Sequence, residues 1–493
     1  MMKHGKRKLS AWQFLVLGYL VVILTGGFLL SLPFASREGT WTNYLNALFT
    51  STSATCVTGL VVYDTFTHWS LFGQIVILLL IQVGGIGFMS VVALAMMAFR
   101  RHIGLYQRKV IVQAAGKTSI SGAVSFIKQI LIGTAIFEGT GAVLLAIRFC
   151  KDMGFGEGLY YAVFHSVAAF CNAGFDLMGK YEAFSSLTRY AGDPLVNLTI
   201  MGLIFLGGLG FLVWTDIAKS RGNPRKFSLH TWIALVASAV LVIIPTGLFL
   251  LFERNNLFAG MGFGDRLLRA LFASVTPRTA GFNTVDMSAM TDASYLLTSV
   301  LMFIGGNSGT TAGGIKITTF VFLIFSTLAV ARRDGEVDVG KKRLGSVLVR
   351  EASATAPAYM ILLVIGCFAL LGAEGDITLP QALVEVVSAI ATVGLTTGIT
   401  PTLCAFSKII LIFLMFAGRV GVMTHAIALG ERKTPPLHRP EDDFLVGEVT
   451  YEFFSDRFGQ FRLQARLRAE RQGARRSRRG QGRGTRQRVF LRI

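Results

Sequence analysis

Four glycines at long, near-equal intervals carry the chemistry of this 493-residue chain. They are Gly59 in CVTGLVVYDT, Gly174 in CNAGFD, Gly281 in RTAGFNT and Gly394 in TVGLTTG, and they lie 115, 107 and 113 residues apart. Each is followed by Leu or Phe and preceded by a short apolar segment. The residues just ahead of them are Val57 and Thr58, Asn172 and Ala173, Thr279 and Ala280, and Thr392 and Val393. What such stretches offer is backbone carbonyls rather than a reactive side chain. An ion leaving water must replace its hydration shell, and carbonyls that face one axis can do this. Turning successive carbonyls inward calls for positive φ, which glycine adopts at little cost. One loop cannot enclose an ion, but four loops of one chain can do so around an axis along a membrane normal.

Elements that position such loops are visible in the hydropathy. The chain is 52% apolar with a mean hydropathy of +0.57. Runs of about 20 apolar residues separated by short charged segments are the mark of membrane helices. Spanning helices are expected at 12–33, 71–99, 125–150, 195–219, 229–252, 294–330, 350–372 and 405–430. Shorter apolar segments near 43–53, 158–169, 265–275 and 380–390 cannot span, and each runs straight into a glycine loop. The expected fold class is therefore an all-α polytopic membrane protein. It has four parallel repeats of long helix, short pore helix, loop and long helix around one central pore. The repeats are placed at 1–110, 111–222, 223–345 and 346–447. The remaining 448–493 form an Arg-rich tail with thirteen arginines and no lysine, read as disordered and given no function.

A formal charge of +20 raises nucleic acid as a partner, but its distribution points elsewhere. Basic residues cluster at 3–8, at Arg100, Arg101, Arg108 and Lys109, at Lys219 to Lys226 and at Arg332 to Arg343, at alternate ends of the spans. The positive-inside rule makes all of these cytoplasmic, together with both termini. The opposite loops carry Asp64, Asp176, Asp193, Asp265, Asp286, Asp292, Glu374 and Asp376, an acidic outer rim that would concentrate cations. The basic start followed by a long apolar run reads as an uncleaved first span rather than a signal peptide. Five cysteines without CxxC spacing, and no His pair at ligand spacing, give no metal site and no disulfide framework. His102, His165, His230 and His425 are scattered over unrelated segments, which argues against a polytopic membrane enzyme. The GMGFGD run at 260–265 lacks a βαβ context and is no nucleotide fingerprint. A secondary transporter of another cation or small solute is the other alternative, but the repeats read parallel rather than inverted.

The second long helix of each repeat has its own glycine cluster, 25, 33, 24 and 24 residues beyond the loop glycine. In the third repeat the cluster expands to Gly305, Gly306, Asn307, Ser308, Gly309, Thr310, Thr311, Ala312, Gly313 and Gly314, followed by Lys316. Such a stretch is poor helix material, and its unpaired backbone must be buried in protein or face water. Arg419 lies mid-span in the fourth repeat, where a charge costs about 3 kcal/mol unless it meets a partner or water. Aligning the clusters puts it level with Gly306, with Asn307, Ser308 and Thr310 as polar partners.

The four ordered loops, with GGNSGTTAGGIK in the third repeat and AGRVG in the fourth, closely resemble the Trk/Ktr/HKT superfamily of cation transporters. The resemblance covers roughly 10–447 and is nearest to the membrane subunits of Ktr-type bacterial potassium uptake systems. It implies that the four loops form a selectivity filter, and that glycine in all four, Gly59 included, selects potassium. It implies that 305–314 is an intramembrane loop that obstructs the pore and moves during gating, with Arg419 and Lys316 beside it. It further implies a homodimer in a bacterial cell membrane and a cytoplasmic KtrA-like ring that binds ATP or ADP. Potassium is then the cargo, with sodium a possible coupling or activating ion and no covalent cofactor.

Overall fold

The computed structural model describes residues 11–87, 90–94, 123–332, 337–339, 342–343 and 345–422. The basic N-terminus, the 95–122 connection, the end of the last expected span and the Arg-rich tail lie outside the described residues. All described residues belong to one compact unit, Met1–Glu431.

The described elements are helical apart from a two-residue ladder that pairs Asp338–Val339 with Lys342–Arg343. Helix α1 is Ala11–Ser31, α2 is Tyr44–Cys56 and α3 is Leu71–Ile86. Next come α4 (Ala123–Met153), α5 (Phe155–Phe170), α6 (Pro194–Leu209) and α7 (Phe211–Lys219). The second half holds α8 (Leu229–Phe252), α9 (Phe263–Val275), α10 (Asp292–Phe303) and α11 (Ile317–Ala331). It ends in α12 (Ser346–Ala373), α13 (Leu379–Ala391) and α14 (Ala405–Val420).

Within α1, α4, α8 and α12 lie segments long and apolar enough to cross a membrane, with mean hydropathies of 2.3, 2.0, 2.6 and 2.2. They turn large apolar side chains outward: Val21 and Phe28, Ile136 and Val143, Ile243 and Leu251, Ile365 and Phe368 are all exposed. In water these faces would be unfavourable by about 25 cal/mol per Å², whereas lipid accepts them. The bent pair α6 and α7 raises the number of such spans to five.

The short helices start at recognisable caps. Asn43 accepts the Leu45 amide at the head of α2, and Thr378 with Gln381 forms a capping box on α13. Their C-terminal parts are buried, and several polar side chains there bond within the protein, whereas the Thr55 hydroxyl has no partner among the described residues. In α2 the hydroxyl of Thr52 donates to Leu48 O at 2.7 Å and that of Ser51 to Ile23 O at 2.7 Å.

Packing ties these helices into a cycle. The short helix α2 sits between α1 and α3, α5 between α4 and α6, and α13 between α12 and α14, while α9 lies against α8. Each following helix also touches the next short helix: α3 packs on α5, α6 on α9, α10 on α13, and α14 returns to α2.

The second helices depart from the expected continuous spans. Helix α3 stops at Gly87 (φ 89°, ψ 133°), α6 at Gly210 (φ 101°, ψ 146°) and α14 at Gly421 (φ 95°, ψ 125°). No helical residue has this conformation, so the chain turns sharply, by 89° between α6 and α7. The break expected inside 294–330 is present as the gap between α10 and α11.

Candidate ion pathway

Each short helix ends in the same backbone device. Val57, Asn172, Thr279 and Thr392 have φ of 58°, 58°, 67° and 52°. Two residues later Gly59, Gly174, Gly281 and Gly394 have φ of 96°, 68°, 77° and 93°. A left-handed residue with a Cβ costs about 1–2 kcal/mol, so four of them mark a geometry imposed by the surroundings. The hydrogen bonds show how it is held. The amides of Thr58, Ala173 and Val393 reach back five residues to Ser53 O, Ala168 O and Ser388 O at 2.7, 2.8 and 2.8 Å. In the third loop Ala280 N reaches Thr276 O at 3.0 Å instead. Ser53 and Ser388 then receive the amides of Gly59 and Gly394 on their hydroxyls, at 3.0 and 2.9 Å.

The four glycines close into a ring. A Cβ on Gly59 would lie 2.6 Å from Ala173 O, one on Gly174 would lie 2.9 Å from Ala280 O, and one on Gly281 would lie 2.6 Å from Val393 O. A Cβ on Gly394 would run into Thr58 O. Every glycine thus backs onto the carbonyl that precedes the next glycine, and the fourth returns to the first. All twelve expected loop residues meet here. Gly174, Gly281 and the residues around them are buried, as are Thr58, Ala173, Ala280 and Val393. Just beyond Gly174, burial and the neighbouring Asp64 carboxylate push the Asp176 carboxyl up to about 7.

Against this ring lies the segment between α10 and α11. Ile304 and Ile315 form a bridge, and Gly305 N donates to Ile315 O at 2.9 Å, so the segment is a closed loop rather than a bent helix. Asn307 N donates to Gly208 O and Phe211 N to Gly309 O, both at 3.1 Å, which docks it on the break after α6. Thr311 Oγ1 donates to Asn172 Oδ1 at 3.3 Å, reaching the second glycine loop. A Cβ on Gly313 would lie 2.8 Å from Ala391 O, at the fourth. Thr310 Oγ1 caps Asn307 O at 2.8 Å, and Ser308 pairs with Thr318 at 2.9 Å. Gly306 and Ala312 are buried against each other, and Gly309 and Gly314 have positive φ.

Two cations grip this loop by its carbonyls. Arg419 donates to Thr311 O through Nη1 and to Gly84 O through Nη2, so one guanidinium joins α14, the loop and α3. The expected partners Asn307, Ser308 and Thr310 are not the ones used: Ser308 pairs with Thr318, Thr310 with Asn307 O, and Asn307 turns its Nδ2 to Gly208 O and Ser238 while its Oδ1 accepts no bond among the described residues. Lys316 turns back along its own segment and donates to Ala312 O at 2.8 Å and Gly313 O at 3.4 Å.

Several features went unread in the sequence. The helix breaks follow a shared G-x-x-G register, with Gly84 and Gly87, Gly207 and Gly210, Gly306 and Gly309, and Gly418 and Gly421. Ser53 and Ser388 stand at equal distances from their glycines, a signal of the same kind. Cys171 lies against Gln82 and Glu138, and Gln82 Nε2 donates to Glu138 at 3.1 Å behind the second loop.

Comparison with known proteins agrees with this geometry. A family model described as TrkH, cation transport protein, matches residues 11–432. The chain belongs to that family of membrane transport proteins, which is not enzymatic. It is 37% identical over 457 residues to the potassium/sodium uptake protein NtpJ of Enterococcus hirae, covering 91% of this chain and 99% of that one. It is 36% identical over 437 residues to the Ktr system potassium uptake protein B of Bacillus subtilis, covering 88% and 96%. The crystal structure of the potassium transporter TrkH from Vibrio parahaemolyticus superposes with a TM-score of 0.68 at 19% identity, over 87% of this chain and 86% of that chain. The fold is thus shared with TrkH, and the chain is an integral membrane protein.

Proposed function

We propose that this chain passes potassium across a membrane through the ring formed by Gly59, Gly174, Gly281 and Gly394 and the carbonyls beside them. The observation that carries the reading is the closure of that ring, each glycine seated on the next loop's carbonyl. A close-set cycle of carbonyls replaces the water of a cation and presents no reactive group. Relatives named as potassium or potassium/sodium uptake proteins support the choice of cargo.

Below the ring, 305–314 is the gate, held shut by Arg419 and Lys316. The chain acts as a homodimer in a bacterial cell membrane, with both termini inside. A KtrA-like nucleotide-binding ring drives the gate from the cytoplasm, in line with a relative named as one part of a Ktr system. Rubidium uptake into liposomes holding the purified protein tests the central claim. Uptake that is competed by potassium and weakly by sodium is expected, and a folded protein that passes neither ion sinks it. Cysteines placed at 178–192 should react with an impermeant reagent on intact cells and those at 332–348 should not. Labelling at 340 overturns the orientation.

A further inference from the structure

The same position on two of the short helices, nine residues before the loop glycine, holds a buried polar side chain that reaches past the filter. On α13 it is Glu385, and on α5 it is His165, both with no exposed surface. The Glu385 carboxylate accepts from the hydroxyl of Thr396 and from that of Thr400 at 3.0 Å, and the backbone N–H of Thr397 donates to it as well. The His165 ring donates through Nδ1 to Tyr161 O at 2.8 Å, and its Nε2 accepts the backbone N–H of Leu177 at 3.3 Å. Leu177 and Thr397 both lie three residues after their glycines, so the two braces are in register. The first and third short helices have no such side chain at this position, although the third loop is held from elsewhere on α9, where Arg269 donates to Thr284 O at 3.3 Å. Thr50 bonds within its own helix to Asn46 O at 3.1 Å, and Phe272 has no polar atom. In the cyclic order of the loops the two braced from this position are diagonal.

We propose that Glu385 and His165 are positioning residues that fix the outer limbs of the fourth and second loops, and thereby set the potassium over sodium preference of the ring. This rests on the filter reading above. Glu385 carries the larger share. Three donors converge on one buried carboxylate, and among the described residues no Lys, Arg or His forms an ion pair with it. Removing a buried acceptor leaves the three donors that converge on it orphaned.

The test is flux of potassium and sodium through the purified, reconstituted chain, read as half-saturation and maximal rate for each ion. Glu385→Ala should raise relative sodium flux and weaken potassium half-saturation several-fold, with a smaller change in maximal rate. Glu385→Gln should fall between this and the parent, since an amide can still accept from one side. Thr396→Val with Thr400→Val removes two of the three bonds from the other end and should reproduce the direction, which also serves if Glu385→Ala fails to fold. His165→Ala should shift the ratio less, and Thr50→Val not at all. Folded Glu385 and Thr396/Thr400 variants with the parent's ratio and half-saturation overturn the proposal, as does an equal shift in Thr50→Val. Gly394→Ser separates the two readings. If it leaves the ratio unchanged, the filter assignment itself is wrong; if it shifts the ratio while the Glu385 variants do not, only the brace is wrong.

Discussion

The glycine ring and the layer of helix breaks beneath it are built from the same four repeats but follow opposite rules. In the ring all four loops do the same thing: a left-handed residue, then a positive-φ glycine seated on the next carbonyl. One level down, three repeats break at a single glycine with φ between 89° and 101°, whereas the third opens into a loop spanning 305–314. An ion held on an axis needs equal contributions from all sides, so departure at any one loop degrades the whole cage. An obstruction needs only one arm. On the proposed reading the third repeat supplies it, and the other repeats touch that loop: Gly208 and Phe211 from the second, Ala391 and Arg419 from the fourth, and, through Arg419, Gly84 from the first.

If the ring works as a unit, any one of its glycines should matter as much as the others. Gly281→Ala places a methyl group 2.6 Å from Val393 O, closer than any real contact allows, and adds the left-handed cost of about 1–2 kcal/mol. Gly59→Ser does the same against Ala173 O. Both should change the sodium to potassium uptake ratio by about tenfold or more, the size expected of an effect of 1.4 kcal/mol upwards between two ions. Competition between the ions in a host lacking its own potassium import measures it. An unchanged ratio in Gly59→Ser removes the first loop from the filter and breaks the four-fold equality.

Deleting 307–313 attacks the layer where the repeats differ. It removes the docking bonds to Gly208 and Phe211 while leaving every ring glycine in place. Basal potassium flux into liposomes should rise severalfold and stop responding to nucleotide and partner, with selectivity nearly unchanged. A folded deletion variant whose flux stays low and still follows ATP excludes the loop as the gate. Arg419→Ala should act in the same direction but less, because the loop keeps its docking bonds to Gly208 and Phe211. If Arg419→Ala instead lowers flux, the guanidinium serves conduction rather than closure.

How much of this was legible beforehand follows the same division. The loops, the short helices and the third-repeat break were readable because glycine, hydropathy and spacing are local signals. Residues 57–59 and 392–394 announce themselves by type. The bending at Gly87 and Gly210 was not readable as such, because glycine inside an apolar run is equally compatible with close packing. Gly84 and Gly207 do show that use, pressed against Thr55 O and Phe170 O. Arg419 was readable as a residue in need of a partner, but its partners were not. Thr310 is committed to Asn307 O and Ser308 to Thr318, and Asn307 presents its Nδ2 to Ser238 and Gly208 with its Oδ1 unpartnered among the described residues, while Arg419 takes the backbone carbonyls of Thr311 and Gly84. Which carbonyl is free is a tertiary fact that no spacing reveals.

The smallest expected effect sharpens the comparison most. Gly87 and Gly210 have nearly the same backbone, with φ of 89° and 101°, and both end a second helix. Alanine at either should cost about 1–2 kcal/mol from the left-handed strain alone. Their surroundings differ. Among the described residues nothing lies within 4 Å of a Cβ on Gly87, whereas one on Gly210 would meet Ser308 O and Thr310 Cγ2 at 3.0 Å. Gly87→Ala should therefore lower the melting temperature by a few degrees and leave basal flux as it was. Gly210→Ala should lower it comparably and also push the third-repeat loop off its seat, raising basal flux. Thermal unfolding in detergent with flux in liposomes reads both quantities on the same preparations. Equal flux in the two variants would mean that the break after α6 is a bend like the others and no part of the gate's seat.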